Sequence, residues 1–587
     1  MFKLLKRMGK REWTFALTSL VFILCQVYLD LKIPDYMSQV TMLVQTEGSS
    51  ISSILLYGSY MLLCALGSLV SSFIVGYFAA RIATGLSAKL RKGIFDRTLD
   101  FSMEEINRFS TSSLITRSTN DITQIQTFIA TGLQMLVKAP ITAIWAIVKI
   151  MGKSWQWTAS TGSAVVLLLV MVSIIMIFVV PKSKTIQNLT DSLNRATREN
   201  LTGLRVVRSF NAEEYQEQKF ENANYELTGV NLFANRIMAI MQPGMTAIQS
   251  GLTLSIYWIG AALISSAAMS DKMTLFSSMV VFTSYAMQVV MSFMMLVMVF
   301  IQFPRASVSA GRINEVLDTN PKILDGKKRP PKGVSGEIEF RNVSFKYSGA
   351  ENNVLNDISF VVRKGETVAF IGSTGSGKST LINLIPRFYE ASEGEVLVDG
   401  MNVKDYTQEA LHDKLGYVPQ RAVLFSGSIE SNIAYGSDKI DDQEVKDAME
   451  TAQGADFVES MDGGYSASVS QGGVNLSGGQ KQRVSIARAF YKKPEIFIFD
   501  DSFSALDYKT DRALRKELTT KNSHITKLIV AQRIGTIKDA DRIIVLDEGR
   551  IVGNGTHKEL LSTCKVYQEI ALSQLSKEEL GYVRERI

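Results

Sequence analysis

A glycine-rich stretch that ends in lysine and serine, GSTGSGKST at residues 372–380, has the residue types that hold phosphate groups. It fits the pattern G-x-x-x-x-G-K-[ST] and directly follows an apolar, strand-like run at 367–371. In this context the glycines let main-chain N–H groups close around phosphate oxygens, Lys378 reaches the terminal phosphates and Ser379 ligates Mg²⁺. The predicted nucleotide-binding residues of this P-loop are Ser373, Thr374, Gly375, Ser376, Gly377, Lys378, Ser379 and Thr380.

A carboxylate that could orient the metal ion follows a second predicted strand. The apolar run at 496–499 predicts a buried strand, and Asp500 follows it directly. P-loop enzymes use a carboxylate at the tip of a buried strand to orient Mg²⁺. Asp500 and the P-loop together predict a domain that binds ATP with Mg²⁺, and a purely structural strand end is the alternative.

The sequence LSGGQ at 476–480, followed by KQRVSIARA, resembles the signature of ATP-binding-cassette (ABC) transporters. The resemblance covers essentially the whole chain, because the apolar region before it is similar to that of the exporter branch. Three more positions match family elements in order. Tyr347 matches the aromatic that stacks on adenine, and Gln420 in GYVPQ matches the glutamine that senses Mg²⁺. Asp507 in SALD matches the loop that crosses to a second cassette. The implied metal-site residues are Ser379, Gln420 and Asp500.

The resemblance also implies how the signature works. In the family two cassettes pair head to tail, and each ATP lies between the P-loop of one and the signature of the other. The signature precedes a helix, whose N-terminal amides suit a γ-phosphate. A chain with one cassette is therefore expected to work as a dimer and to contact its partner's ATP through Leu476, Ser477, Gly478, Gly479 and Gln480.

Two positions of the hydrolytic apparatus depart from the family pattern. The family has Glu directly after the strand-end Asp, where it polarises the attacking water, and this chain has Asp501. The Asp carboxylate is one methylene shorter, and a displacement of roughly 1 Å can cost about 10²-fold in rate. The family's switch histidine is replaced by Gln532, in the stretch VAQR. A glutamine amide donates a hydrogen bond but cannot carry a proton.

These departures predict a chain that binds ATP but hydrolyses it poorly at its own site. The pattern resembles one subunit of heterodimeric bacterial multidrug exporters, in which the other subunit supplies the base and the histidine. The predicted partner is therefore a second half-transporter, whose competent site the intact signature of this chain would complete. In the alternative, Asp501 still works as the base, Gln532 still binds phosphate, and the transporter is a homodimer.

Six apolar stretches are long enough to cross a membrane, which takes roughly 20 residues. Lys and Arg crowd the segments after the second and fourth stretches, so these segments, the N-terminus and everything after the sixth stretch are predicted to be cytoplasmic. The predicted fold is an α-helical transmembrane domain of six helices with long cytoplasmic extensions, fused to an α/β P-loop ABC nucleotide-binding domain, in the cell membrane. The stretches are 13–33, 54–80, 128–151, 159–180, 245–269 and 275–303.

The predicted domains are an amphipathic N-terminal segment (1–12), the transmembrane domain (13–305), a linker (306–335) and the nucleotide-binding domain (336–587). The linker is predicted from a stretch rich in Pro, Gly and Lys. The N-terminal segment mixes apolar and basic residues, which fits a helix on the inner leaflet or a basic flank that only sets topology. By resemblance, short helices near 101–108 and 208–214 couple the domains. Trp155 and Trp157 are predicted to lie at the membrane interface.

Five methionines of the sixth stretch recur at helical spacing: Met287, Met291, Met294, Met295 and Met298. Methionine recurs at surfaces that accept varied apolar partners. The stripe predicts either a lining for hydrophobic small-molecule substrates or ordinary helix packing. No lone acidic residue lies deep in the third to sixth stretches, which argues against an ion-coupled or strongly cation-selective site.

The net charge of +6 arises from basic residues beside the apolar stretches, which indicates membrane lipid and not nucleic acid as a partner. The three cysteines form no Cys-x-x-Cys pair, so neither a disulfide framework nor a zinc site is predicted. By family likeness, the fused order with the membrane domain first favours ATP-driven export of hydrophobic or amphiphilic compounds. A flippase for lipids or lipid-linked molecules shares every motif and stays open, as does an ATP-gated regulatory membrane protein.

Overall fold

The computed structural model describes residues 1–46, 48–151, 154–329, 336–520 and 522–575. The chain divides into two compact units, one of Met1–Leu99 and Ser112–Thr319, the other of Asp100–Thr111 and Asn320–Ile587. The last residues of the predicted linker, 330–335, and the end of the predicted nucleotide-binding domain, 576–587, lie outside the described residues.

The chain up to residue 319 is helical in nearly all of its described residues. Its helices are α1 (Phe2–Leu5), α2 (Lys10–Gln45), α3 (Ile51–Leu99), α4 (Met103–Phe109), α5 (Thr111–Ser118), α6 (Asn120–Met151), α7 (Trp155–Thr202), α8 (Leu204–Ser209), α9 (Glu213–Ala239), α10 (Met241–Ser266) and α11 (Met269–Asp318). Helix α4 belongs to the second unit. Helices α4 and α8 lie at or beside the two short helices that the resemblance predicts.

Six of these helices carry apolar windows long enough to cross a membrane: α2, α3, α6, α7, α10 and α11. Helices α3, α7 and α11 have 49, 48 and 50 residues, more than twice the roughly 20 that a bilayer needs. Each therefore continues well beyond the apolar layer. Two boundaries differ from the sequence pattern: α10 ends at Ser266, before the end of the fifth predicted stretch, and α11 runs to Asp318, through the first part of the predicted linker.

The N-terminal segment is held by protein contacts. The side chain of Leu4 is fully buried. Lys3 Nζ donates to Asp318 Oδ2 at 2.6 Å, and Arg7 donates to the other oxygen of that carboxylate at 3.2 Å. Helix α2 begins at Lys10, inside the segment 1–12. The amphipathic pattern that predicts a helix on the membrane surface is therefore used, at Leu4, for packing within the first unit.

Trp157 lies in the core of the membrane helices. Its side chain is 1% exposed, its ring packs on Phe282 at 5.3 Å, and its Nε1 donates to the main-chain oxygen of Ile256 at 3.2 Å. Trp155 is 76% exposed. Trp157 is thus covered by neighbouring helices, and its indole N–H finds a main-chain acceptor inside the protein.

The second unit combines strands and short helices. Its strands are β1 (Ile338–Phe345), β2 (Leu355–Val362), β3 (Thr367–Gly372), β4 (Glu393–Val398), β5 (Met401–Asn402), β6 (Leu415–Val418), β7 (Gly427–Ser428), β8 (Ser468–Val469), β9 (Ile496–Asp500), β10 (Thr526–Val530), β11 (Arg542–Asp547) and β12 (Arg550–Gly555). Its helices after α4 are α12 (Lys378–Asn383), α13 (Gln408–Asp413), α14 (Ile429–Ile433), α15 (Asp442–Thr451), α16 (Ala455–Glu459), α17 (Gly478–Tyr491), α18 (Tyr508–Thr520), α19 (Ile534–Ile537), α20 (His557–Thr563) and α21 (Lys565–Gln574).

A six-stranded sheet in the order β12-β11-β3-β10-β9-β6 forms the centre of the second unit. Its strands are parallel except β12, which pairs antiparallel with β11. An antiparallel sheet in the order β2-β1-β4-β5 lies beside it in the fold. Strands β3, β10 and β9 are neighbours in the parallel sheet. Their carboxyl ends therefore bring three parts of the chain to one edge, where ligands of α/β folds bind.

Candidate nucleotide-binding site

The P-loop connects strand β3 to helix α12. Gly375 and Gly377 have φ of +86° and +96°, the left-handed region that favours glycine. A Cβ on Gly377 would lie 2.7 Å from Leu355 Cδ2, so the loop has no room for a side chain there. The sequence thus folds as a tight turn that leads directly into the N-terminus of helix α12, the arrangement in which main-chain N–H groups bind phosphate.

Lys378 curls back onto the loop. Its Nζ donates to the main-chain oxygens of Gly372 at 2.9 Å and Ser373 at 2.7 Å. Burial lowers the pKa of Lys378, and the charges of Asp501 and Asp500 oppose that shift. The ammonium is therefore held within the loop by neutral acceptors, which a phosphate oxygen could replace.

Asp500 and Ser379 are in direct contact. Strand β9 is buried along its whole length, and Ser379 Oγ donates to Asp500 Oδ1 at 2.7 Å. Burial raises the pKa of Asp500, and the charge of Asp501 raises it further. A hydroxyl and a carboxylate oxygen placed together are hard oxygen ligands of the kind Mg²⁺ prefers, so these residues fit a metal ion bound with ATP.

Asp501 and Gln532, the two departures from the family pattern, contact each other. Gln532 Nε2 donates to Asp501 Oδ2 at 2.8 Å, and Gln420 Nε2 donates to the same oxygen at 3.2 Å. Asp501 has φ of +47°, an uncommon conformation for a residue other than glycine. Burial raises the pKa of Asp501, and the Gln420 hydrogen bond, the Lys378 and Arg533 charges and the Gln532 hydrogen bond oppose it.

The loop that carries Gln532 is anchored by the last described helix. Gln574, in α21, donates from Nε2 to the main-chain oxygen of Gln532 at 2.7 Å. Its Oε1 accepts from the main-chain nitrogen of Ile534 at 2.8 Å. No sequence motif pointed to Gln574. The side chain fixes the main chain on both sides of Arg533 and so limits where Gln532 can reach.

Tyr347, predicted to stack on adenine, lies next to the P-loop. Its hydroxyl is 2.9 Å from Thr380 Oγ1, and its ring packs edge-on against Tyr389 at 5.2 Å. A cavity of about 340 Å³ opens beside the P-loop. Its lining brings together Val354, Thr374, Gly375, Gly377, Lys378, Ser379, Thr380, Gln420, Asp501, Val530 and Gln532.

The signature caps a helix at a different place in the same unit. Ser477 Oγ accepts from Gln480 N at 3.3 Å, and Gln480 Oε1 accepts from Ser477 N at 2.8 Å, a reciprocal cap at the start of α17. Leu476 is buried, and a Cβ on Gly479 would lie 3.2 Å from the main-chain oxygen of Ala505. The cavity beside the P-loop has none of the residues 476–480 in its lining.

Asp507 caps helix α18. Its two carboxylate oxygens accept from the main-chain nitrogen of Thr510 at 3.0 Å and from Thr510 Oγ1 at 2.6 Å. These hydrogen bonds hold the pKa of Asp507 below its ordinary value. Asp507 is not in the lining of the cavity beside the P-loop.

The methionine stripe is split by the structure. Met291 and Met295 line a cavity of about 380 Å³ in the first unit, whereas Met287, Met294 and Met298 do not. Gln249 Nε2 lies 3.3 Å from Met294 Sδ. We call this space the membrane cavity, and its lining is Asp30, Ile33, Pro34, Met37, Lys138, Thr142, Ser284, Gln288, Met291, Ser292 and Met295.

Sequence reasoning missed the polar part of the membrane cavity. It searched the third to sixth stretches for a lone acid, whereas the acid, Asp30, lies in the first stretch. The signal was available, because Asp30 and Lys138 interrupt apolar runs. What the sequence lacked was the pairing of helices that brings these residues together.

Comparisons with known proteins agree with this architecture. Residues 16–301 match the family model for the ABC transporter transmembrane region, and residues 355–504 match that for the ABC transporter domain. An uncharacterized ABC transporter ATP-binding protein of Mycobacterium bovis is 39% identical over 527 residues, 89% of this chain and 88% of that one. An ATP-dependent lipid A-core flippase of Aromatoleum aromaticum is 31% identical over 87% of this chain and 84% of that one.

A solved structure of a bacterial Atm1-family ABC exporter with ATP bound superposes with a TM-score of 0.79 at 26% identity. The match covers 96% of this chain and 98% of that one. Six membrane-spanning helices precede the nucleotide-binding domain in the same chain. The chain therefore belongs to the ABC transporter family, as an exporter half-transporter: a multi-pass membrane protein whose cytoplasmic domain couples ATP hydrolysis to transport.

Proposed function

We propose that this chain is one subunit of a heterodimeric exporter of hydrophobic or amphiphilic compounds, and that its own ATP site binds nucleotide but hydrolyses it slowly. The observation that supports this most directly is the contact between the two substituted positions. Gln532 Nε2 donates to Asp501 Oδ2 at 2.8 Å, and Gln420 donates to the same oxygen. Two amides therefore hold the group that would have to accept a proton from water.

Geometry argues against Asp501 as a general base more strongly than its acidity argues for it. Burial raises the pKa of Asp501, which by itself would make the carboxylate a better base. A base must first lie within hydrogen-bond reach of the proton that it takes. The Asp side chain is shorter than the Glu of the family, and its Oδ2 already accepts hydrogen bonds from two amides. Gln532 adds no group that could carry a proton.

The nucleotide-binding parts support ATP binding at this site. The P-loop turn, Lys378 and the contact between Ser379 and Asp500 fit the phosphates and Mg²⁺. Mg²⁺, when bound with ATP, would neutralise charge on the phosphates. The signature is capped and intact, and it does not line its own chain's cavity, which supports a role at the partner's ATP. The partner is then a half-transporter with Glu and His at the two substituted positions.

A lipid flippase is the second candidate function. It is favoured by the relatives named lipid A-core flippases, of which one is 31% identical over 87% of this chain. The membrane cavity, with methionines beside polar groups, suits an amphiphile of either kind.

The experiment is the steady-state ATPase activity of the purified chain in nanodiscs, measured beside its oligomeric state and its equilibrium affinity for ATP. We expect ordinary ATP binding, little turnover, and turnover that appears on adding a related half-transporter with intact Glu and His. Lys378→Ala is the control that should lose ATP binding. Robust turnover by a homodimer would overturn the proposal.

A further inference from the structure

The membrane cavity lies between helices α2, α6 and α11 of the first unit. It has a volume of about 380 Å³. Asp30 comes from α2, Lys138 from α6 and Gln288 from α11, so its polar groups come from three separate helices. A site assembled in this way depends on the packing of all three membrane helices.

Two opposite charges meet in this cavity. Lys138 Nζ donates to Asp30 Oδ2 at 3.1 Å, and Ser68 Oγ donates to Asp30 Oδ1. Ionisable residues within membrane helices are costly, and those that persist commonly pair with each other and mark a substrate pathway. Neither side chain is fully enclosed, since 24% of Lys138 and 28% of Asp30 are exposed. The pair is therefore open to a ligand in the cavity.

A buried hydrogen-bond acceptor in the same lining has no donor. Gln288 Oε1 is buried, and none of the described residues donates to it. The other end of the amide is used, because Gln288 Nε2 donates to the main-chain oxygen of Asp30 at 3.4 Å. A buried acceptor without a partner destabilises the protein, so it points to a donor supplied from outside the chain. The Gln288 amide thus contacts Asp30 through its nitrogen, while its oxygen lacks a donor.

The rest of the lining is made of apolar side chains and three hydroxyl residues. Met291 and Met295 follow Gln288 on the same helix, and Ile33 and Pro34 follow Asp30 on α2. Methionine thioethers adapt to alkyl chains of different shapes. The lining thus combines one positive charge, one negative charge and one acceptor without a donor with apolar side chains. Its hydroxyls, those of Thr142, Ser284 and Ser292, donate to main-chain oxygens of their own helices.

We propose that the membrane cavity binds the headgroup of a zwitterionic amphiphile that carries a primary ammonium. The ammonium donates to Asp30 and, once the Gln288 amide rotates to expose its oxygen, to Gln288 Oε1. The anionic group of the same molecule pairs with Lys138, and the alkyl part lies along Met291 and Met295. A ligand with a single charge would leave either Asp30 or Lys138 unpaired in the membrane, which is costly, whereas a zwitterion replaces both partners at once. This inference rests on the proposed export of amphiphiles and names their class.

The probes are three lysophospholipids with the same acyl chain: lysophosphatidylethanolamine, which has a primary ammonium, lysophosphatidylcholine, which has no N–H, and lysophosphatidylglycerol, which is anionic. Binding to the full chain in dodecyl maltoside is measured by native mass spectrometry. We expect lysophosphatidylethanolamine to bind about tenfold more tightly than either of the others. Nε-lauroyl-lysine, a zwitterion that is not a phospholipid, separates the two sources. Binding of it assigns zwitterions in general, and its failure to bind assigns phospholipids.

Gln288→Met keeps the side-chain length and removes the acceptor. It should lose the preference for lysophosphatidylethanolamine over lysophosphatidylcholine. The matched control is Thr283→Val, on the same helix but not in the lining of the cavity. It also removes a polar group, because the Thr283 hydroxyl donates to the main-chain oxygen of Met279 at 2.9 Å. Equal binding of the three lysophospholipids to the unmodified chain would overturn the inference without any variant. So would tightest binding of the anionic lipid, or an unchanged preference in Gln288→Met.

The outcome is separable from that of the proposed function. Lipid binding by the chain alone needs no ATP hydrolysis and no partner subunit. Robust homodimer turnover with the lipid preference intact would remove the heterodimer and leave the cavity assignment. Slow turnover with no lipid preference would leave the heterodimer and remove the cavity assignment.

Discussion

Two cavities of this molecule arrange their charged side chains in opposite ways. Beside the P-loop, Asp500, Asp501 and Lys378 lie close together without a direct ion pair among the described residues, and burial raises the pKa of both carboxyls. In the membrane cavity, Asp30 and Lys138 pair directly at 3.1 Å. A second pair on the same two helices, Asp35 with Lys149, has a distance of 2.8 Å.

The difference follows from what each site must receive. A site that takes Mg²⁺ and a polyphosphate receives strong charges of both signs with its ligands, so its own groups stay unpaired and costly until then. A site among membrane helices does not always receive a charged ligand, so its own charges must neutralise each other. The nucleotide-binding region is thus prepared for charged ligands, whereas the membrane cavity is prepared for a ligand of no net charge.

The largest expected effect comes from repairing the two substituted positions. Asp501→Glu with Gln532→His should raise the ATPase activity of the chain's own site by about 10²-fold, because the carboxylate moves forward and an ionisable ring replaces the amide. The measurement is steady-state phosphate release in nanodiscs. The same double variant carrying Lys378→Ala should stay inactive. A repaired chain no faster than the original would mean that the slow step lies elsewhere.

A smaller effect is expected from breaking the membrane ion pair. Lys138→Met leaves Asp30 unpaired and should lower the apparent melting temperature in detergent by about 5 °C. The double variant Asp30→Asn with Lys138→Gln removes both charges and should recover at least half of that loss. If the loss in the double variant equals the sum of the losses in the two single variants, Asp30→Asn and Lys138→Gln, the two side chains do not interact.

The smallest effect concerns the cost of the Asp501 charge. Because burial raises the folded-state pKa of Asp501 above its ordinary value, ionisation opposes folding. The penalty is absent below the unfolded pKa and complete once the pH exceeds the raised value. Without nucleotide, Asp501→Asn should therefore melt about 2 °C higher at pH 8, with the gain disappearing toward pH 4. A gain that grows as the pH falls would contradict the assigned shift.

Local patterns in the sequence were sufficient for the local structure around the P-loop, the strand-end carboxylate and the signature. The P-loop, Asp500 and the signature each depend on a few adjacent residues, and the structure has them at a strand-to-helix turn, a strand end and a helix cap. Long apolar runs predicted six membrane helices, and six are present in the described residues. These predictions succeed because each needs only neighbours in the sequence.

Features that depend on distant contacts could not be predicted in the same way. The hydrogen bond between Gln532 and Asp501 joins two separate strand ends, and Gln574 reaches the loop of Gln532 from the last described helix. The burial of Trp157 depends on Phe282 and Ile256, on two other helices. Apolar periodicity shows that a helix is buried but not which helix covers it.

Slow hydrolysis at this chain's own site is tested by following the ATP bound at its P-loop. The transporter, assembled with a half-transporter that has Glu and His at the two substituted positions, is loaded with radiolabelled ATP and Mg²⁺ and freed of excess nucleotide. The label crosslinked to each subunit is then identified over time. We expect this chain to retain ATP while the partner's P-loop holds ADP. If ADP forms at the same rate on both subunits, and no longer forms on this one in Asp501→Asn, then Asp501 is a working base and the site is not impaired.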